Sequence, residues 1–213
     1  MSLEREIKLM LDPKGWAQIR QWATEQSLLV KEVTQTNHYF DTPTLAMADL
    51  RLMLRLRHKH DRWEMTFKMK LPTTELAAAQ ESIEVEQPID AELAQALLAG
   101  DLTLADQTLE PIEALRVRGA EHGLQLSELS PIGAMTTHRT LIRTPDGPWT
   151  MELDHSHYLG LDDYELECEA DDMAAAFRSV SALLDTLGVV RSPSAASKSG
   201  RFVAALRRSK SLA

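Results

Sequence analysis

Hydrophobic and polar residues alternate with a period of two in several stretches of this chain. From Trp63 onward the odd positions Trp63, Met65, Phe67, Met69 and Leu71 are apolar, while Glu64, Thr66, Lys68 and Lys70 are polar. Just before them, Leu52, Leu54 and Leu56 alternate with Arg55, Arg57 and Lys59. A period of two belongs to an extended strand, whose successive side chains point to opposite faces. This pattern predicts strands over 3–11, 29–41, 51–59, 62–70, 81–88, 132–143, 148–155 and 162–169. Helical spacing appears between them. Asp12-Pro13 offers an N-cap and a proline at the first helical position, predicting a helix to about Gln26 with Trp16, Ile19, Trp22 and Ala23 as its apolar stripe. Further helices are predicted over 90–100 behind Asp90, over 109–121, over 172–187, and in a short piece after Ser197. Asp61-Arg62 and Pro145-Asp146-Gly147 mark turns, and Pro72 to Ala79 and Ser192-Pro193-Ser194 read as links. Hairpin signals without regular strand–helix alternation predict an α+β fold, an antiparallel sheet with helices laid around it.

The polar faces of these strands are charged. Glu4/Glu6/Lys8, Arg55/Arg57, Lys68/Lys70, Glu84/Glu86, Glu152/Asp154 and Glu165/Glu167/Glu169 all recur at period two. One such strand is an ordinary solvated sheet face. So many in one domain point to a sheet rolled into a barrel, with its charged face around a polyanion and metal ions and its apolar face covered by helices. Like charges at adjacent inward positions repel, so the contents of the tunnel must neutralise them. Carboxylates suit hard cations such as Mg2+ or Mn2+, arginine gives a planar fork for phosphate, and lysine a compact charge.

Composition narrows the reading. The 213 residues, 44% hydrophobic and 26% charged, fit one domain spanning 1–213, including a C-terminal helical segment from about 172. A net charge of -9 argues against a general nucleic-acid binder with a basic surface, yet leaves a phosphate substrate open. The single cysteine, Cys168, rules out an internal disulfide framework and reads as a buried structural thiol. With no signal-peptide pattern and no long apolar run, a soluble cytoplasmic protein without membrane contact is expected. There is no P-loop, Rossmann glycine pattern or zinc-protease motif. His58/His60 and His155/His157 read as solvated turn histidines, and Ser192, Ser194, Ser197 and Ser199 lack an accompanying base.

Taken in order, Glu4-x-Glu6-x-Lys8, His38-Tyr39-Phe40-Asp41-Thr42, Leu54-Arg55-Leu56-Arg57, Thr66-Phe67-Lys68 and Glu84-x-Glu86 resemble the CYTH superfamily, the triphosphate tunnel metalloenzymes. The run Leu153 to Gly160, Asp163-Tyr164-Glu165-Leu166-Glu167 and Ser197-Lys198-Ser199-Gly200-Arg201-Phe202 look most like its stand-alone bacterial branch. The resemblance implies an eight-stranded antiparallel closed tunnel barrel and metal-dependent attack on a triphosphate, with Mg2+ or Mn2+ as cofactor. By similarity, Glu4, Glu6, Glu165 and Glu167 would carry metal, with Glu84, Glu86, Asp154 and Glu169 as further metal ligands or tunnel acids. Lys8, Arg55, Arg57, Lys68, Arg139 and Lys198 would hold phosphate, and Glu4, Glu6 and Lys8 form the catalytic set. Lys70 and Arg118 find no firm place, and Lys198 is expected to act as a mobile gate. Hydrolysis of inorganic triphosphate comes first, because no obvious aromatic set offers to stack a base. The alternatives are a class IV adenylate cyclase, a thiamine or nucleoside triphosphatase, and a non-catalytic polyphosphate or nucleotide sensor. Both acidic strands are intact, which favours an enzyme acting on a small-molecule triphosphate.

Overall fold

A computed structural model of the chain describes residues 1–72, 77–145, 147–193 and 196–211, with residue 211 described by its backbone alone. In chain order the elements are β1 (Ser2–Leu11), α1 (Pro13–Glu25), β2 (Leu29–Asp41), α2 (Ala46–Asp49), β3 (Leu52–Lys59), β4 (Arg62–Lys70) and β5 (Ala79–Ile89). There follow α3 (Ala91–Ala99), α4 (Glu110–Ala120), β6 (Ser130–Arg143), β7 (Thr150–Tyr158), β8 (Leu161–Glu169), α5 (Met173–Thr186), β9 (Arg191–Pro193) and α6 (Lys198–Ser211). The way β1 divides its partners closes the sheet. Its residues 2–7 pair antiparallel with β5, and residues 6–11 pair antiparallel with β8. Between those two the antiparallel order runs β5-β4-β3-β2-β6-β7-β8, so β1 completes an eight-stranded barrel.

The barrel is inverted, with charge inside and hydrocarbon outside, as the period-two pattern requires. Leu54, Leu56, Met65, Phe67 and Val85 point out from β3, β4 and β5 and are buried with Ala94, Leu97, Ile112 and Leu115 of α3 and α4. On the opposite side Ile7, Leu9, Met151, Leu153, Leu166 and Cys168 are covered by Ile19 and Ala23 of α1 and by Ala176, Val180 and Leu184 of α5. Local capping places these helices: Asp12 accepts from the Gly15 N–H at 2.6 Å, Asp90 from Leu93 at 2.7 Å and Asp172 from Ala175 at 2.9 Å. A third cluster uses inward positions. Tyr39, Met53, Met135 and Tyr158 face inward at one end of their strands and pack against Phe202, Val203 and Ala205 of α6. The apolar face of α6 thus closes that end of the barrel. Gly133, at φ 136°, makes room for it, since a Cβ there would lie 2.8 Å from the Phe202 ring.

Two elements depart from the sequence reading. Ser192-Pro193, expected in a link, belong to the short strand β9, which pairs with residues 9–11 of β1 beyond the point where β5 ends. Proline is tolerated there because this is an edge. The four-residue α2 was not expected either. Asp41 organises it by accepting from the backbone of Thr42, Met47 and Ala48 at 2.7, 2.9 and 3.1 Å. Ser194, Asp146 of the predicted turn, and residues 73–76 of the expected link lie outside the described residues.

The histidine pairs also differ from expectation. His58, His155 and His157 lie within strands rather than turns, and only His60 is in a turn, at φ 49°. His58 stacks on Trp63 and His155 on Tyr164, each at 4.5 Å between ring centres, and Asp162 binds His155 at 2.7 Å.

A charged cavity as the candidate active site

The inward faces enclose a cavity of ≈ 440 Å³. From one side β3 and β4 contribute Arg55, Arg57, Lys59, Lys68 and Lys70. Facing them, β1, β7 and β8 supply Glu4, Glu6, Lys8, Glu152, Glu167 and Glu169, while β6 adds Arg139, β5 adds Glu84 and Glu86, and the start of α6 adds Lys198. Every sequence-predicted site residue except Asp154 and Glu165 therefore lines the cavity. Those two sit fully buried behind Lys198 and touch it.

The acidic wall is densely paired. Lys8 Nζ lies 2.5 Å from Glu167 Oε1 and 3.0 Å from Glu6 Oε1. Lys198 Nζ lies 2.8 Å from Asp154 Oδ2, 2.7 Å from Glu167 Oε2, and against Glu165. Arg139 forks onto both oxygens of Asp154 at 2.8 and 2.7 Å, reaches Glu167 at 2.9 Å, and pairs with Glu152. Burial alone would raise the pKa of Glu167, but Lys198, Lys8 and Arg139 outweigh it and hold the carboxyl well below the usual range. Asp154 is lowered in the same way, against burial, by Lys198 and Arg139. The same contacts raise Lys8, where Glu167 and Glu6 overcome the burial that opposes its charge. Around the barrel, Lys68 bridges Glu4 and Glu84, the latter at 2.6 Å, and Ser82 donates to Glu4 at 3.0 Å. Glu6 is raised, chiefly by burial.

Apart from Lys68, the basic wall is sparsely paired. The nearest carboxylate contact of Arg55 is Glu86 at 3.8 Å and that of Arg57 is Glu64 at 3.9 Å. Arg57 donates through Nε to Asn37 at 3.0 Å, while the buried Arg55 Nε has no hydrogen-bond partner among the described residues. Burial, together with the charges of Arg55 and Arg139, pushes the Arg57 pKa down to about 10. Burial and the neighbouring Lys8, Lys68 and Arg51 push Lys70 down to about 8. Buried cations that lower one another's pKa make a site in want of an anion.

The structure adds residues that carried no assigned role in the sequence reading. Glu152, Lys59, Asn37 and Lys70 line the cavity. Glu152 and Lys59 continue visible period-two sets, so their signal was present. Arg201 is less obvious. It donates to Asp163 at 2.6 Å and to Glu165 Oε2 at 2.7 Å, and Asp163 also accepts from the Tyr158 hydroxyl at 2.6 Å. Arg118 is outside the cavity, on α4, paired with Glu121 at 3.7 Å.

Three carboxylates here could hold a divalent cation. Among the described residues, Asp154, Glu165 and Glu167 are the group of three whose ligand oxygens all lie within 4.8 Å of one another. All three are buried hard oxygen donors, and the ammonium of Lys198 stands among them as a cation. The expected metal set is thus divided: Glu165 and Glu167 join Asp154, whereas Glu4 and Glu6 lie beyond Lys8 and contact Lys68.

The model of the CYTH domain matches residues 2–202. The chain belongs to the CYTH domain family. A Bacillus subtilis (strain 168) protein named "Putative triphosphatase YjbK" is 28% identical over 189 residues, 88% of each chain. A solved structure of a "putative adenylate cyclase" from Bacillus halodurans is 27% identical, with a TM-score of 0.72 over 95% of this chain and 99% of that one. The Hippeastrum protein HpAC1, described as a "putative adenylyl cyclase" with a dominant triphosphatase activity, has a TM-score of 0.79 at 24% identity, covering 95% and 96% of the two chains. That last likeness establishes the CYTH barrel alone.

Proposed function

We propose that this CYTH protein hydrolyses a triphosphate with the help of Mg2+ or Mn2+, and that inorganic triphosphate is its first substrate. The observation that carries the reading is the basic wall: Arg55 and Arg57 face the cavity with no carboxylate of the described residues closer than 3.8 Å, opposite a wall whose acids converge as a metal site does. The name carried by the Bacillus subtilis relative agrees with it. Tyr39 is the one aromatic among the described lining residues, and it is packed against Phe202, so the cavity offers little to stack a base.

Phosphoryl transfer depends on positioning and charge neutralisation more than on covalent chemistry. Arg55, Arg57 and Lys68 hold phosphate oxygens from β3 and β4, and Lys8, Arg139 and Lys198 complete the cationic surround of the acidic side. Asp154, Glu165 and Glu167, with Glu4 and Glu6 nearby, are the residues that would hold the metal. When bound, that metal supplies charge neutralisation at the phosphate oxygens. A tunnel carboxylate, Glu4 or Glu6, orients the attacking water and accepts its proton, Glu6 kept in place by Lys8 and Glu4 by Lys68. Glu84, Glu86 and Glu169 balance the wall around them.

A cyclase is the second reading, favoured by the description of the Bacillus halodurans structure. The deciding assay supplies inorganic triphosphate, ATP and thiamine triphosphate with Mg2+ or Mn2+ and separates phosphate, pyrophosphate and cyclic nucleotide. Phosphate from inorganic triphosphate is expected. Cyclic nucleotide with pyrophosphate as the main products would replace this reading with the cyclase, and binding without turnover would replace it with a sensor.

A further inference from the structure

The first turn of α6 carries a cation into the centre of the acidic cluster. Lys198, its first residue, touches Asp154, Glu165 and Glu167, the three carboxylates that converge as possible metal ligands. Three residues on, Arg201 grips the other oxygen of Glu165 and the carboxylate of Asp163. The helix is pinned at Arg201, while Lys198 contributes a flexible four-carbon stem.

An ion of the size of Mg2+ takes oxygen ligands at about 2.0–2.1 Å. An ion held by these three carboxylates would compete for the oxygens that the Lys198 ammonium now contacts, and two cations in a buried site repel strongly. The seat holds one cation at a time. We propose that Lys198 is the resident counter-cation of this metal site: it neutralises the cluster before metal arrives, and metal binding expels its ammonium toward the cavity, where it becomes available to phosphate. This rests on the metal-dependent reading above and adds an order to it, because loading the metal creates a phosphate ligand. The coupling is reciprocal, so whatever favours the displaced lysine favours metal.

The test needs no turnover. Mn2+ is titrated into the full chain without any triphosphate, and free Mn2+ is followed by electron paramagnetic resonance. Lys198→Met is expected to bind Mn2+ about tenfold more tightly than the wild type, within the range usual for coupled sites. Lys68→Met, which changes a cavity lysine that does not touch the three carboxylates, is expected to tighten binding much less. Should Lys198→Met not fold, the wild type itself gives the answer: Mg2+ alone should shift the side-chain resonances of isotope-labelled Lys198. Equal or weaker Mn2+ binding by a folded Lys198→Met, or unmoved Lys198 signals at saturating Mg2+, overturns the inference and leaves metal-dependent hydrolysis standing. Failure of both wild type and variant to bind Mn2+ overturns both.

Discussion

The two sides of the cavity carry opposite charge and stand in opposite states. On the acidic side Glu167 alone is contacted by Lys8, Lys198 and Arg139. On the basic side no carboxylate of the described residues comes closer than 3.8 Å to Arg55 or 3.9 Å to Arg57. A buried ion costs several kcal/mol of solvation unless partners recover it. The fold itself supplies those partners to the acids, drawing cations from β1, β6 and α6, whereas it leaves the arginines of β3 short of them. The acidic wall is therefore part of what holds the barrel together, and the basic wall is held in place by the barrel for something else to complete.

The largest expected effect breaks the acidic wall. Glu167→Gln removes one charge from contact with three cations, so urea unfolding should show a loss of about 3–5 kcal/mol, with turnover falling by orders of magnitude. Arg57→Ala is expected to differ in kind. Triphosphate affinity should drop by about one to two orders of magnitude, the worth of a charged hydrogen-bonding group, while the ligand-free protein keeps or gains stability as Arg55 and Arg139 lose a like-charged neighbour. Equal destabilisation by the two substitutions would erase the contrast between the walls.

Titration separates the walls at smaller amplitude. Lys70 has its pKa lowered to about 8 from an ordinary 10.5, so between those values the unfolded chain binds more protons than the folded one. Stability of the empty protein should accordingly rise as pH increases through that window, and the rise should vanish in Lys70→Met. The carboxyls of Glu167 and Asp154 are lowered instead. Their contribution is present above the ordinary carboxylate pKa and is lost as pH falls through the lowered folded values. Thermal melts across pH for wild type and Lys70→Met check both limbs. The smallest effect is expected outside the cavity: Cys168→Ala, on the outer face of β8, should cost about 1 kcal/mol and leave turnover unchanged.

The strands were legible because this barrel keeps its two faces chemically unlike. Arg55 and Arg57 against Leu54 and Leu56 fix both the strand and which face turns inward. The residues that line the cavity were legible for the same reason, since charged residues at inward positions turn to the barrel interior, Asp154 and Glu165 ending behind Lys198. The short strand β9 was not, because its pairing depends on an edge of β1 that becomes open only where β5 stops, a fact of tertiary geometry. Nor could spacing reveal that Lys198 and Arg201 meet Glu165. They lie more than thirty residues from it, and only the docking of Phe202 and Val203 on the barrel end brings that helix turn to the acids. The separation of Glu4 and Glu6 from the cluster of Asp154, Glu165 and Glu167 likewise follows from strand register, with Lys8 opposite Glu167 and Glu6 opposite Glu169.

The most direct test of the account is the thermal stabilisation given by a non-hydrolysable triphosphate analogue with Mg2+, compared between wild type and an Arg55→Ala/Arg57→Ala double variant. Binding to the folded state raises the melting temperature by an amount that grows with the logarithm of ligand concentration relative to Kd. The account predicts a clear upward shift for the wild type and its near disappearance in a double variant that melts, ligand-free, at or above the wild-type temperature. A shift that persists undiminished in the double variant would contradict it, for the ligand would then be bound somewhere other than against Arg55 and Arg57.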